Sequence, residues 1–153
     1  MKILNKITCT ILILMISIYI PTITLATEKA QIINEARIYL QDSTPINILT
    51  NGRANTSTFN QTINRAGNMS IRRSNTSTGI SLTITHNFDG RVDACIFKSD
   101  GQTLIGSTHH IDGKNIMHNF YWSPTELGNN LDVLLFITCY QNTSYRVWGS
   151  ITY

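Results

Sequence analysis

The chain has 153 residues, 42% of them hydrophobic and 14% charged, with three cysteines and a formal charge of +3. That length bounds it to about one ordinary domain able to bury its own core. Two of the positive charges, Lys2 and Lys6, lie at the extreme N-terminus, and the remainder of the chain is close to neutral, which excludes the broad basic footprint of a nucleic-acid binder.

Met1-Lys-Ile-Leu-Asn-Lys6 is followed by an apolar run, Ile7 to Ile20, and by Thr24-Leu-Ala26 with small residues where a signal peptidase reads. This is the pattern of a cleaved secretory signal peptide spanning residues 1–26. The run is short for a bilayer span and Pro21 closes it, while Cys9 lies inside it and away from the lipoprotein cleavage point. The expected mature chain is a single domain, residues 27–153, secreted or periplasmic, with ten basic and nine acidic residues. Its two cysteines, Cys95 and Cys139, are expected to form a disulfide in an oxidising compartment, contributing roughly 4 kcal/mol by closing the loop between them.

Ile32, Ala36, Ile38 and Leu40 share one parity, so the segment Ala30–Leu40 reads as a strand, with a helical turn near residues 28–33 as the alternative. Asp42-Ser-Thr-Pro45 reads as a turn, Ile46–Leu49 as a short strand and Asn51-Gly52 as a further turn. From Ala54 to Thr78 the chain is rich in Asn, Thr and Ser, with Phe59, Ile63, Met69 and Ile71 as its large apolar residues. Short exposed strands around Phe59–Ile63 and Asn68–Arg72 fit this composition, and so does disorder. Asn-x-Ser/Thr triplets begin at Asn55, Asn60, Asn68, Asn75 and Asn142 and would be glycan acceptors in a eukaryotic secretory pathway.

Ile80–His86 alternates apolar and polar residues, as a half-buried strand does. Asp89-Gly90, Asp100-Gly101 and Asp112-Gly113 then punctuate the chain at intervals typical of an antiparallel meander, with strands at Arg91–Lys98, Gln102–Ser107 and Lys114–Trp122. Ser123-Pro124 and Gly128-Asn-Asn130 read as loops ahead of the most apolar strand, Leu131–Tyr140, and Tyr145–Tyr153 closes the chain. That apolar strand needs cover on both faces and is expected to pair with Arg91–Lys98 through the disulfide. Cys139 shares a face with Leu135 and Ile137, so Cys95 is expected to point inward with Phe97; Asp93, on the same parity, then needs a strand end or a partner. With no amphipathic helix of ten residues or more, eight to ten strands imply an all-β fold, a single antiparallel β-sandwich of immunoglobulin-like or jelly-roll-like form.

The candidate chemistry is sparse. His86, His109, His110 and His118 follow no zinc spacing, and Asp89 and Asp93 are the one place where calcium remains conceivable; the Asp-Gly pairs are explained by turn chemistry. No nucleophile elbow, phosphate loop or paired-carboxylate signature is present, which argues against an enzyme and against a cofactor. Between Ser43 and Phe88 the chain has arginines and no acidic residue, so Arg65, Arg72 and Arg73 are candidates for contacting an anionic ligand. Aromatic residues cluster late, and Tyr121, Trp122, Tyr145 and Trp148 are candidates for a stacking platform. The expected function is a non-enzymatic recognition protein whose partner is a glycan, a membrane surface or a host or competitor protein. The alternatives are a structural subunit of an extracellular β assembly, joined through Ile32–Leu40 as an added strand, and a small exported inhibitor or toxin component.

Overall fold

The computed structural model describes residues 39, 42–50 and 55–153. The expected signal peptide, the strand at 30–40 apart from Tyr39, and the Asn51-Gly52 turn lie outside the described residues. Two short strands come first, β1 (Thr44–Pro45) and β2 (Leu49–Thr50). The long strands are β3 (Thr56–Asn64), β4 (Ala66–Arg72), β5 (Ile80–His86), β6 (Val92–Lys98), β7 (Leu104–Ile111), β8 (His118–Trp122), β9 (Asp132–Thr138) and β10 (Ser144–Thr152).

They form a β-sandwich. One layer runs β3-β10-β5-β8 and the other β7-β6-β9-β4. β3 and β4 touch at a single residue pair, Asn64 with Ala66, where Arg65 turns the corner at φ 61° and the two layers diverge. Every connection between long strands except the β6–β7 hairpin crosses from one layer to the other. This interleaving is the jelly-roll arrangement of two Greek keys. Inward residues from both layers, among them Phe59, Ile63, Leu82, Ile84, Ile96, Leu135, Ile137, Val147 and Ile151, make the core.

The strap formed by residues 43–50 covers the opening between β3 and β4. β1 runs parallel to β4 with Thr44 opposite Gly67, and β2 runs antiparallel to β3 with Leu49 opposite Thr58. Ile46 plugs the gap: its Cδ1 lies 2.7 Å from where a Cβ on Gly67 would stand, so a larger residue at 67 would displace the plug. Gln61 fastens the strap on either side of Ile46, its Oε1 accepting from the Asn47 N–H at 3.0 Å and its Nε2 donating to the Pro45 carbonyl at 2.9 Å.

The strand β9 is covered on both faces, as its composition demands. Val133, Leu135 and Ile137 enter the core between the layers, while Phe136 packs with Ala66, Cys95 and Phe97 on the other side of the sheet, with Tyr39, Leu104 and Leu134 against them. β9 does pair with β6. The disulfide is a different matter: Cys95 and Cys139 are both free and buried. Register explains why. Asp93 pairs with Thr138 and Cys95 with Phe136, so Cys95 points to the outer cluster, whereas Cys139 keeps the parity of Ile137 and points to the core. Proximity of the strands is not enough when the two Cβ vectors leave opposite faces.

The expected meander also needs correction. Only Asp100-Gly101 makes a hairpin, with the Asp100 carboxylate accepting from the Gln102 and Thr103 N–H groups at 2.7 and 3.1 Å. At Asp89-Gly90 and Asp112-Gly113 the chain changes layer. A turn dipeptide specifies local reversal and leaves the identity of the next neighbour to packing. One helical turn, α1 (Pro124–Leu127), replaces an expected loop; Ser123 and Glu126 form its capping box, with Pro124 at its start.

Candidate functional site

Alternation in the β3-β10-β5-β8 layer sends one set of side chains to the core and the other to solvent. Because β2 pairs onto the free side of β3, the solvent face is five strands wide. Its rows can be read across the register. Leu49, Thr58, Ser150, Thr83 and Asn119 form one row; Asn60, Trp148 and Thr85 form the next; Thr56, Thr152, Ser81 and Tyr121 form a third. Thr62 and Arg146 continue beyond Trp148. Among these residues there is no carboxylate, and Arg146 is the one charged side chain.

Trp148 lines a groove of about 480 Å³ together with Asn47, Leu49, Thr58, Phe59, Asn60, Gln61 and Gly149. Val147 and Ile151 point to the core and leave Trp148 on the solvent face, half-buried. Gly149 beside it sits where a Cβ would be 1.9 Å from the Thr83 carbonyl oxygen, so only glycine lets β10 follow β5 here. Two amides on the face are oriented by neighbours. The Arg146 Nε donates to Asn60 Oδ1 at 2.7 Å, and the Thr83 hydroxyl donates to Asn119 Oδ1 at 2.7 Å. A guanidinium has no acceptor, so Asn60 must turn its oxygen towards Arg146 and its NH₂ away, as a donor. The chemistry of this surface is therefore an indole flanked by amides and hydroxyls. It can stack a ring and exchange directional hydrogen bonds; it carries no carboxylate, imidazole or thiol.

The other candidate residues disperse. Tyr121 is exposed (55%) on β8, at the far side of the same face. Trp122 is fully buried and donates its Nε1 proton to the Ser107 carbonyl at 2.8 Å, and Tyr145 is buried with its ring 5.5 Å from that of Phe88, so neither offers a platform. Their parity predicts this: Trp122 pairs with Ile80 and Tyr145 with Ile63, both core residues.

The arginines do not converge either. Arg65 lies over the Tyr39 ring at 4.4 Å. Arg72 meets Asp132 at 3.3 Å in an exposed pair. Arg73 is buried and spends its guanidinium on the carbonyls of Thr76, Thr78, Gly128 and Asn130, at 2.6–3.0 Å. It clasps the 74–79 and 128–131 loops together, with its pKa lowered by burial. Adjacent residues of a strand face opposite ways, so Arg72 and Arg73 could not have formed one patch.

The histidines are used structurally. His109 stacks on Phe120 with centroids 4.6 Å apart and meets Trp122 edge-on at 4.7 Å, bridging β7 and β8 where the two layers close. His86 is buried and its Nε2 lies 3.3 Å from the Ile111 carbonyl. Burial holds both imidazoles below the ordinary histidine pKa. His118 stacks on Phe120 at 5.9 Å, and its Nε2 is 2.8 Å from the Asp112 carbonyl. His110 Nδ1 donates to Asp93 at 2.8 Å, while its Nε2 receives from Arg91 Nη2 at 3.2 Å. With both nitrogens engaged, this His–Asp pair has no free lone pair for general-base work. Among the described residues no three His, Cys, Asp or Glu side chains are grouped so as to hold a metal ion, and no helix is long and apolar enough to cross a membrane.

Sequence reading singles out Trp148 and Tyr121 but misses Asn47, Leu49, Thr58, Asn60 and Gln61. The usable signal is the alternation Ser57, Phe59, Ile63 against Thr56, Thr58, Asn60, Thr62. It is masked by the polar composition of both faces and by the inward-parity Gln61, which serves the strap.

No family model matches the chain, and no curated protein matches it. Among solved structures it is similar to the pre-peptidase C-terminal domain of a collagenase from Bacillus anthracis, with 13% identity, 71% of this chain and 93% of that chain covered, and a TM-score of 0.47. It is similar to PliG of Aeromonas hydrophila, a periplasmic inhibitor of g-type lysozyme, with 12% identity, coverage of 71% and 93%, and a TM-score of 0.45. A structure described as CBM4 matches with 10% identity, coverage of 70% and 77%, and a TM-score of 0.45. Likenesses this distant carry no argument about function.

Proposed function

We propose that the protein is an exported, non-enzymatic recognition protein that binds a glycan on the β3-β10 surface, with a sugar ring stacked on Trp148. The observation that carries this reading is the groove itself: the Trp148 indole lies with Asn47, Thr58 and Asn60 in a lining without an ionisable side chain. A sugar ring has apolar faces of C–H bonds and a rim of hydroxyls. The first match an aromatic plane and the second match amides and hydroxyls that both donate and accept. A buried protein interface would instead favour a larger apolar centre, and here Leu49 is the one aliphatic side chain in the solvent-facing wall. The signal-peptide pattern at residues 1–26 supports a place outside the cytoplasm, where such ligands occur.

A glycan array probed with the chain from residue 27 onward tests this. Binding to a defined set of structures, lost on Trp148→Ala, is the expected result. An empty array combined with capture of a protein ligand at the same surface would replace it.

A further inference from the structure

The groove occupies one side of a face that continues, without a charged residue, to a second aromatic. From Trp148 the exposed or half-buried side chains in the direction of Tyr121 are Ser150, Thr83, Asn119 and Ser81, all hydroxyls or an amide. Tyr121 is placed by a glycine. Its Cε2, Cζ and Oη stand 2.4–2.5 Å from where a Cβ on Gly79 would be, so the ring lies against the bare backbone of residue 79 while more than half of the residue remains open to solvent. Ser81 is the Tyr121 register partner, and Asn119 next to it is fixed by Thr83. The two aromatics are two strands and four residues apart, about 16 Å on strand spacing and rise.

We infer that the ligand is an extended, uncharged glycan chain that crosses the strands diagonally, with one ring on Trp148 and a later ring on Tyr121. This rests on the glycan reading and deepens it: a single terminal sugar cannot span both platforms. The hydroxyl and amide ladder between them would hydrogen-bond the intervening units, and the Asn60 and Asn119 NH₂ groups would serve as donors at either end. Arg146 leaves one positive charge at the margin, spent in part on Asn60.

The test is a titration of the chain from residue 27 onward with β-1,4-linked glucose oligomers and β-1,4-linked N-acetylglucosamine oligomers, each from disaccharide to hexasaccharide, with oligogalacturonides as the charged comparison. The inference expects affinity to rise roughly tenfold or more with chain length until both platforms are covered, as each stacked ring adds its share. It expects Tyr121→Ala, checked for an unchanged melting temperature, to flatten that rise, and Trp148→Ala to weaken every length. A hexasaccharide no tighter than a disaccharide, or a rise unaltered by Tyr121→Ala, overturns the inference and leaves the glycan reading standing. Binding of the oligogalacturonides alone overturns the uncharged ligand. Binding of no oligomer at any length overturns the extended-chain inference, and the glycan reading falls with it if the glycan array is empty as well.

Discussion

Asp93 and His110 face each other in register across β6 and β7, with His110 Nδ1 2.8 Å from the Asp93 carboxylate. Asp93 is 1% exposed, and Arg91 reaches the same carboxylate through Nε at 2.7 Å and Nη2 at 3.0 Å. The bond to Asp93 is the main reason the Arg91 pKa is raised. The carboxylate is thus matched by two donors from its own layer, which is what allows a charge to lie beside Cys95 on the sheet.

Removing that carboxylate leaves Arg91 and His110 without their acceptor, and removing the donors strands a buried charge. Asp93→Ala is expected to cost about 3 kcal/mol in urea unfolding, and Arg91→Ala less, about 2 kcal/mol, because the half-exposed guanidinium is partly screened and His110 still donates to the carboxylate. His110→Ala is expected to cost less, because Arg91 alone still makes two bonds. Equal, negligible effects for all three would show that this cluster does not hold the β6–β7 hairpin in place.

The two thiols are expected to behave as independent buried groups. Burial pushes both Cys95 and Cys139 above the ordinary thiol range, so native protein reacts slowly with a maleimide and denatured protein takes up one label on each. A reductant is expected to leave the melting temperature unchanged. A reductant-sensitive melting curve, or loss of both labels after oxidation, contradicts the assigned register.

Stability is expected to fall in mild acid. His86 and His109 are held below the ordinary histidine value by burial in the folded chain. The unfolded chain therefore takes up protons first, from about pH 6.5 downward. Their neutral forms destabilise nothing above that pH, and stability is lost as the pH drops through and below it. Thermal melts at pH 7.5 and 5 are expected to show this, and His109→Phe, which keeps a ring between Phe120 and Trp122, is expected to reduce the difference. An unchanged difference in that variant would remove His109 from the explanation.

The class of fold is legible because alternation is a local signal: Ile80, Leu82 and Ile84 mark their inward face against Ser81, Thr83 and Thr85 without help from the rest of the chain. Partnership is less legible. The β6–β9 pair can be anticipated from two apolar runs, but the layer changes at Asp89-Gly90 and Asp112-Gly113 depend on packing that no dipeptide encodes. Parity also misleads at the cysteines, because β6 and β9 are each apolar on both faces and the pattern does not say which face meets the other layer. At the surface, Trp148 and Tyr121 stand out by chemistry, whereas Asn60 and Thr58 gain meaning only from their places beside Trp148 and Leu49. Arg73, a candidate contact for an anionic ligand on sequence grounds, is consumed by four carbonyls that lie up to 57 residues away in the chain.

The most direct test of the central claim is calorimetric titration of the wild-type chain and Trp148→Ala with the tightest glycan identified on an array. Trp148 is half-buried on the outer face, so the variant is expected to fold, with an unchanged far-ultraviolet spectrum. The account predicts binding at least about tenfold weaker in Trp148→Ala, as loss of one stacked ring implies. Wild-type affinity in a folded Trp148→Ala chain would contradict it.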